Sequence, residues 1–201
     1  MQTAYRFNSY IALALTSRLA GEHGAALAAL LIGFGVPLCN IAAVHSMVKK
    51  NGPLFRELAR NPLLIATASG LLFNALGLTV PEVAGAVFTR MGNAAVALGL
   101  LLVGASLRLS GMHQGKAISA YFITIKLLIL PAVAYAMARY AHLPPLQMQI
   151  LVLFCGLPTA SSAFILASRM GGNGPLVAFQ ISAGTVLSAL TLPFWLWVLS
   201  I

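Results

Sequence analysis

Six long apolar stretches and one short one make up most of this 201-residue chain. They are Asn8–Ser17, Ala25–Val48, Leu63–Val80, Gly92–Leu107, Ala117–Ala138, Leu146–Ser168 and Leu176–Ile201. Lys126 is the only Asp, Glu, Lys or Arg within them, and an α-helix needs about 20 mainly apolar residues to cross a bilayer. Their apolar side chains do not alternate with polar ones as in the strands of a membrane β-barrel. The sequence therefore predicts an all-α integral membrane protein with seven transmembrane helices.

The charge of the chain is strongly positive. Twelve Lys and Arg against three Asp and Glu give +9, yet no basic run with interleaved aromatic residues is present, so nucleic-acid binding is not expected. Lys and Arg in the loops of a membrane protein instead mark its cytoplasmic side. One side would hold Arg6, Lys49, Lys50, Arg56, Arg60, Arg108, Lys116 and Arg169, and the other Arg18, Arg90 and Arg139. We therefore predict that residues 49–62 form a cytoplasmic loop and that the C-terminus faces outward.

A weak internal repeat relates the two ends of the chain. It aligns Asn8–Pro37 with Thr159–Ser188 and gives six identities in thirty positions. Each copy consists of a short helix with a polar start, a Ser-Arg pair, a glycine turn and a long helix. Since an odd number of spans separates the copies, they would cross the membrane in opposite directions, as in the inverted repeats of secondary transporters. Residues 1–48 would then be the last two spans of a first repeat, residues 63–201 a complete second repeat of five spans, and three spans would be missing upstream.

Pro158 lies in the middle of the stretch Leu146–Ser168. A proline there removes one backbone donor and clashes with the preceding turn, so we expect the helix to break. The freed backbone groups must face protein or a water-filled cavity, and Thr159, Ser161 and Ser162 are suited to satisfy them. The break also points the N-terminus of a half-helix, with its partial positive charge, at the bilayer centre, which favours an anion such as a carboxylate. The alternative is a structural kink packed by small residues.

Two further polar residues complete the predicted substrate-binding set of Asn8, Lys126, Pro158, Thr159, Ser161 and Ser162. Asn8 is the repeat equivalent of Thr159, so its amide would face the same cavity, unless it is an interfacial residue at a frayed helix end. Lys126 is a charge inside a span, which suggests function. No Asp or Glu lies in any span, so its partner would be a carbonyl, water, a substrate carboxylate or an acid elsewhere. The alternative is a lysine near the cytoplasmic end of a shifted helix.

Catalytic and metal-binding motifs are absent from the sequence. It contains no hydrolase triad, P-loop, HExxH or GxGxxG pattern, and Cys39 and Cys155 lie inside apolar stretches without a CxxC or Cys/His cluster. We predict no enzyme activity, no cofactor, no metal and no catalytic residue, and we interpret both cysteines as core thiols.

Several short motifs, taken together in order and spacing, resemble those of one family. They are Arg6-Phe7-Asn8-Ser9-Tyr10, Val36-Pro37-Leu38-Cys39-Asn40, Asn61-Pro62-Leu63, Gly104-Ala105-Ser106-Leu107, Leu157-Pro158-Thr159-Ala160-Ser161-Ser162-Ala163 with Ala167-Ser168-Arg169-Met170-Gly171-Gly172, and Thr185-Val186-Leu187-Ser188 with Thr191-Leu192-Pro193. The sequence resembles the auxin efflux carrier family of membrane transport proteins, whose bacterial members are often called malonate transporters. The resemblance implies ten spans in two inverted repeats, with crossed, broken helices in the fourth and ninth spans holding the substrate. The segment around Asn8 would belong to the fourth span and Pro158 to the ninth, and the first three spans are absent.

The function expected from these features is secondary transport of small organic anions, such as carboxylates, across the bacterial inner membrane. The predicted partners are the lipid bilayer and the anion, and a homodimer is left open. The alternatives are a membrane scaffold or subunit that transports nothing, or an inactive fragment. A membrane-embedded enzyme is the remaining alternative.

Overall fold

The computed structural model describes residues 2–47, 62–105, 107, 115–169 and 171–200. Within these ranges the regular structure is entirely helical, which confirms the predicted all-α class. In chain order the elements are a 3-10 turn at Gln2–Ala4, α1 (Ser9–Met47), α2 (Pro62–Ala75), α3 (Glu82–Ala105), α4 (Lys116–Thr124), a π-helical turn at Ile125–Ile129, α5 (Leu130–Tyr140), α6 (Pro145–Cys155), α7 (Ser162–Arg169) and α8 (Gly174–Ser200). The predicted cytoplasmic loop at 49–62 lies outside the described residues, apart from Pro62 at the start of α2.

Helix α1 contains a break near its first third. Ala20 and Gly21 leave the helical conformation, and Gly21 has a positive φ of 56°, which glycine adopts without the steric cost of a Cβ atom. The break divides α1 into a short helix and a long one, as the separate stretches Asn8–Ser17 and Ala25–Val48 predict. It thereby allows the long part of α1 to turn back towards the short part.

The break predicted at Pro158 is present. Helix α6 ends at Cys155 and α7 begins at Ser162, so the residues between them are not helical. Leu157 and Pro158 are fully buried. The freed backbone at this depth therefore faces protein, as a break inside a membrane requires.

A π-helical turn joins α4 to α5 without interrupting the helical path from Lys116 to Tyr140. Pro131 has no N–H group with which to satisfy the carbonyl four residues earlier, which belongs to Leu127. The indole Nε1 of Trp195 donates to this carbonyl at 3.0 Å instead. The turn carries Lys126, whose side chain is buried together with that of Leu127.

Not every predicted stretch is a span of full length. Among the described residues, four helical segments are long and apolar enough to cross a membrane: Gln2–Ala43, Glu82–Ala105, Lys116–Tyr140 and Gly174–Ser200.

Helix α2 ends at Ala75, five residues before the predicted end at Val80. Helix α3 begins at Glu82 rather than Gly92, because the carbonyl of Pro81 accepts the first helical hydrogen bond, from Gly85, at 2.8 Å. Arg90, which excluded this part of the sequence from the predicted span, is exposed on α3.

One hydrophobic cluster joins the segment before α1 to the break around Pro158. Phe7, Ala12 and Leu157 are buried together, and the rings of Phe7 and Phe154 lie with their centroids 4.4 Å apart. A second buried cluster, of Ala134, Val152 and Trp195, lies between α5, α6 and α8. Many large apolar side chains elsewhere are exposed, including Leu38 and Leu101. An apolar surface of this kind suits a lipid environment.

Candidate functional site

The segment that precedes α1 crosses the segment that separates α6 from α7. The N–H of Asn8 donates to the carbonyl of Pro158 at 2.9 Å. The hydroxyl of Thr159 donates to the carbonyl of Thr3 at 2.6 Å, and the amide of Gln2 donates to the carbonyl of Ala163 at 2.9 Å. Three hydrogen bonds therefore join the two segments and the helical turns beside them.

Arg6 lies at this crossing and is only 6% exposed. Its Nη2 donates to Oδ1 of Asn40 at 2.7 Å and to Oγ of Ser162 at 3.1 Å, and its Nη1 donates to Oε1 of Gln2 at 3.3 Å. All three acceptors are neutral oxygens.

No counter-charge reaches this guanidinium within the described part of the chain. Glu22 and Glu82 are the acidic residues there, and both are exposed, without an ion pair to Arg6. An arginine keeps its charge in proteins. The crossing therefore holds a buried cation with unbalanced charge among these residues.

Two buried polar groups in the same region as Arg6 have no hydrogen-bond partner in the described part of the protein. They are Nδ2 of Asn40 and Oγ of Ser161, and the Asn40 side chain is 4% exposed. Ser161 and Ser162 also lie at the N-terminus of α7, where the helix dipole favours negative charge. The free donor capacity around Arg6 is therefore suited to an anion.

These groups line a single cavity of about 310 Å³, within the size range of small-molecule sites. Its polar lining comes from Arg6, Asn8, Ser9, Asn40, Ser161 and Ser162. The rest of the lining comes mainly from α1 and α3 and is largely apolar, apart from the hydroxyl of Tyr10 and the thiol of Cys39. The cavity combines a buried cation with unpaired donors, which is the arrangement expected of a site for a small anion.

The structure divides the predicted site residues between two cavities. Asn8, Ser161 and Ser162 line the large cavity. Pro158, Thr159 and Lys126 line a second cavity of only about 10 Å³, together with Thr3, Gln180 and Gly184. Lys126 is 4% exposed there. The six residues are thus close to the same crossing but do not share one site.

Asn8 has a structural task that the sequence did not reveal. Its Oδ1 accepts hydrogen bonds from the N–H groups of Tyr10 at 3.0 Å and Ile11 at 3.2 Å. It is therefore the N-cap of α1, and its amide oxygen already satisfies donors that would otherwise face the cavity.

Arg6 and Asn40 are the site residues that the sequence did not predict. Arg6 was expected among the cytoplasmic loop cations, and this expectation is wrong because its guanidinium is buried against three oxygens. The repeat alignment also offers no signal, because it places the apolar Leu157 opposite Arg6. Removing Arg6 from the charge count leaves the predicted orientation unchanged.

A helical protein with several apolar spans, two crossed non-helical segments and a polar cavity beside their crossing has the architecture of a membrane transport protein. The model of the membrane transport protein family matches residues 13–196, which is most of the chain. The chain belongs to this family, the auxin efflux carrier family that its motifs resemble. It is a multi-pass membrane protein.

Two curated relatives are named as transporters. One is an "Uncharacterized transporter" of Methanothermobacter thermautotrophicus, which is 30% identical over 138 residues, or 69% of this chain and 45% of the relative. The other is a "Putative malonate transporter" of Rhizobium meliloti, which is 25% identical over 145 residues, or 72% of this chain and 45% of the relative. The chain therefore spans less than half the length of these relatives.

Proposed function

We propose that the cavity at the helix crossing binds a small organic anion through its carboxylate, and that the protein serves secondary transport of such anions. The observation that carries this proposal is the buried guanidinium of Arg6, which contacts only neutral acceptors. A buried charge is strongly disfavoured unless it is paired. A carboxylate would neutralise this charge and accept a charge-assisted hydrogen bond from an N–H group of Arg6 that is still free.

Other groups near Arg6 can donate hydrogen bonds to the same carboxylate. The Nδ2 of Asn40 and the Oγ of Ser161 are available as donors, and a carboxylate has acceptor sites for both in addition to the guanidinium. The N-terminus of α7 adds partial positive charge from the same side. Lys126 contributes to the positive potential from its neighbouring cavity without contacting the anion.

Two observations support transport rather than binding alone. Broken helices that meet at membrane depth are typical of secondary transporters, in which the site opens alternately to each side. The Rhizobium meliloti relative is named for malonate, a carboxylate. In our proposal the driving force is an ion gradient or the membrane potential, because the sequence has no nucleotide-binding motif, and the site of action is the bacterial inner membrane.

The inverted repeat is part of this proposal. Gly21 and Gly171 both have positive φ, 56° and 73°, and each follows the short helix of its repeat copy. Each short helix also begins directly after an unwound segment. These similarities support two inverted repeats, with the first one incomplete in this chain.

The competing function is a membrane scaffold or subunit that binds no small anion. The two functions predict different results for purified protein in detergent. Carboxylates should stabilise a transporter that binds them and should not stabilise a scaffold. A ligand present at about 100 times its Kd adds about 2.7 kcal/mol of stability to the folded state. We expect acetate, propionate or malonate to raise the unfolding temperature in wild-type protein, while chloride at equal ionic strength does not.

The matched variants are Arg6→Gln and Arg90→Gln. The first removes the buried cation, and the second removes an exposed one on α3. We expect the stabilisation by carboxylates to be lost in Arg6→Gln and kept in Arg90→Gln. The absence of stabilisation in wild-type protein across all the carboxylates would favour the scaffold.

A further inference from the structure

Tyr10 of α1 and Gly99 of α3 meet at the edge of the large cavity, and both residues line it. A Cβ atom added at Gly99 would overlap Cγ and Cδ1 of the Tyr10 ring and would lie 2.6 Å from its Cε1. The ring therefore lies directly on the backbone of α3. Glycine permits an approach this close because it has no side chain.

The exposed part of the cavity lining lies at the same place. Tyr10 is 41% exposed and Leu102, one turn after Gly99 on α3, is 62% exposed. The other residues that line the cavity are buried or half-buried. Among the described residues, the cavity thus opens at the boundary between α1 and α3, where the ring of Tyr10 lies.

The ring of Tyr10 can move while the start of α1 stays in place. The N–H of Tyr10 donates to Oδ1 of Asn8 at 3.0 Å, so the backbone at this position is held by the helix cap. Rotation about χ1 moves the ring alone, and partly exposed side chains change rotamer within picoseconds to nanoseconds. The cap also does not depend on the ring, so a variant without the ring keeps it.

We infer that Tyr10 is the gate of this cavity. Its ring, lying on Gly99, closes the opening between α1 and α3, and a ligand enters or leaves when the ring swings away from α3. Gly99 acts through Tyr10, because the missing side chain leaves the space in which the ring lies. This inference rests on the proposed function and assigns the entrance of that site.

Cys39 provides a measure of access to the cavity that requires no anion to bind. It lines the cavity and is half-buried, and its thiol donates to the carbonyl of Tyr5 at 3.5 Å. Cys155 is the other cysteine of the chain and does not line the cavity. The parent protein for the test is therefore Cys155→Ala, in which Cys39 is the single thiol. Mass spectrometry of the purified protein gives the rate at which iodoacetamide, a small neutral reagent, modifies it.

Tyr10→Ala tests the gate by removing the ring. We expect Cys39 to be modified on the order of tenfold faster, as when the accessible state rises from about a tenth of the population to nearly all of it. Tyr10→Phe keeps the ring and should react like the parent. Tyr140→Ala should also react like the parent, because Tyr140 is 90% exposed and lies outside the cavity lining. Equal rates in Tyr10→Ala and Tyr140→Ala would overturn the inference.

Gly99→Ala tests the same contact from α3. The new methyl group would take the place of the ring and force it away from α3, so we expect Cys39 to react faster than in the parent. Gly92→Ala is the matched control, because Gly92 lies two turns earlier on the same helix and an added Cβ atom meets nothing within 4 Å.

The double variant separates an effect through the ring from an effect of the glycine itself. In a Tyr10→Ala background, Gly99→Ala should cause no further increase in the rate, because the two changes act on one contact. An increase of the same size with and without the ring would contradict the role of Gly99 in the gate.

The gate and the proposed function fail in different ways. If Cys39 responds as expected but the wild-type protein binds no carboxylate, the gate stands and the anion site is wrong. If carboxylates bind and their binding requires Arg6, but Cys39 reacts at the same rate in all the variants, the anion site stands and the gate is wrong.

Discussion

Arg6 donates a hydrogen bond of 2.7 Å to Oδ1 of Asn40, which lies 34 residues further along the chain. A guanidinium can only donate, so the oxygen of the Asn40 amide must face it and the nitrogen must face away. This nitrogen has no hydrogen-bond partner among the residues that the structure describes. The pair therefore holds the cation in place and also presents a second donor to the cavity.

Replacing Asn40 with Asp should abolish ligand binding by supplying the missing counter-charge from within the protein. The new carboxylate would pair with Arg6 and exclude the carboxylate of a ligand. We expect propionate affinity to fall by about 2 kcal/mol or more, the range of a hydrogen bond to a charged group. The measurement is calorimetric titration with propionate, together with the unfolding temperature.

The control for this variant is Asn173→Asp. Asn173 is exposed, and its Oδ1 accepts a hydrogen bond from the N–H of Leu176 at 3.0 Å, which an aspartate can also accept. It should bind propionate like the wild type. Unchanged affinity in Asn40→Asp would mean that Arg6 and Asn40 do not form the ligand site.

Replacing Asn8 with Ala should affect stability more than binding. The side chain caps α1 through Tyr10 and Ile11, and the loss of such a cap costs about 1 kcal/mol. Asn8→Asp should retain the cap and most of the stability. An Asn8→Ala variant that unfolds like the wild type but has lost propionate binding would show instead that Asn8 contacts the ligand directly.

Replacing Gly24 with Ala should destabilise the turn between the two parts of α1. A Cβ atom at Gly24 would lie 2.5 Å from the carbonyl oxygen of Thr16 and 2.7 Å from Cβ of Ala20. Because the first of these is a backbone atom, we expect a cost of about 1–3 kcal/mol, as for other overpacked sites.

Gly85→Ala provides the comparison for Gly24. Gly85 is also helical, and an added Cβ atom meets nothing within 4 Å. This variant should be neutral or more stable, because alanine favours a helix over glycine. Equal unfolding temperatures for the two variants would contradict the close approach at Gly24.

Replacing Lys126 with Met tests how the second buried cation acts. We expect a loss of affinity that is smaller than in Arg6→Gln and larger for malonate than for propionate, because the ammonium acts through its field and malonate carries more negative charge. Protein stability should not fall, since the variant removes a buried charge and keeps the side-chain volume. A loss confined to malonate and succinate would indicate instead that Lys126 holds a second carboxylate.

The helix breaks could be predicted from sequence because their causes are local. Pro158 removes a backbone donor and its ring clashes with the preceding turn, and Gly21 follows a Ser-Arg pair at the point where the repeat predicts a turn. The start of α3 was missed because Arg90 was assigned to a loop, whereas a long side chain can lie on an exposed helix face and carry its charge to the interface.

The contacts that make the site could not be predicted in the same way. Arg6 is brought to Ser162 by the crossing of segments that are 156 residues apart, and no local pattern encodes that approach. The sequence placed Arg6 in a loop because charged residues are rarely buried without a paired charge. Arg6 is an exception to that general rule, and exceptions of this kind are expected at functional sites.

The most direct test of the central claim is equilibrium binding of radiolabelled propionate to purified wild-type and Arg6→Gln protein. We expect saturable binding to the wild type that unlabelled carboxylates displace, and its loss in Arg6→Gln with the helical content of the protein unchanged. Equal binding to both proteins, or no saturable binding to the wild type, would contradict the assignment of Arg6 as the anion partner.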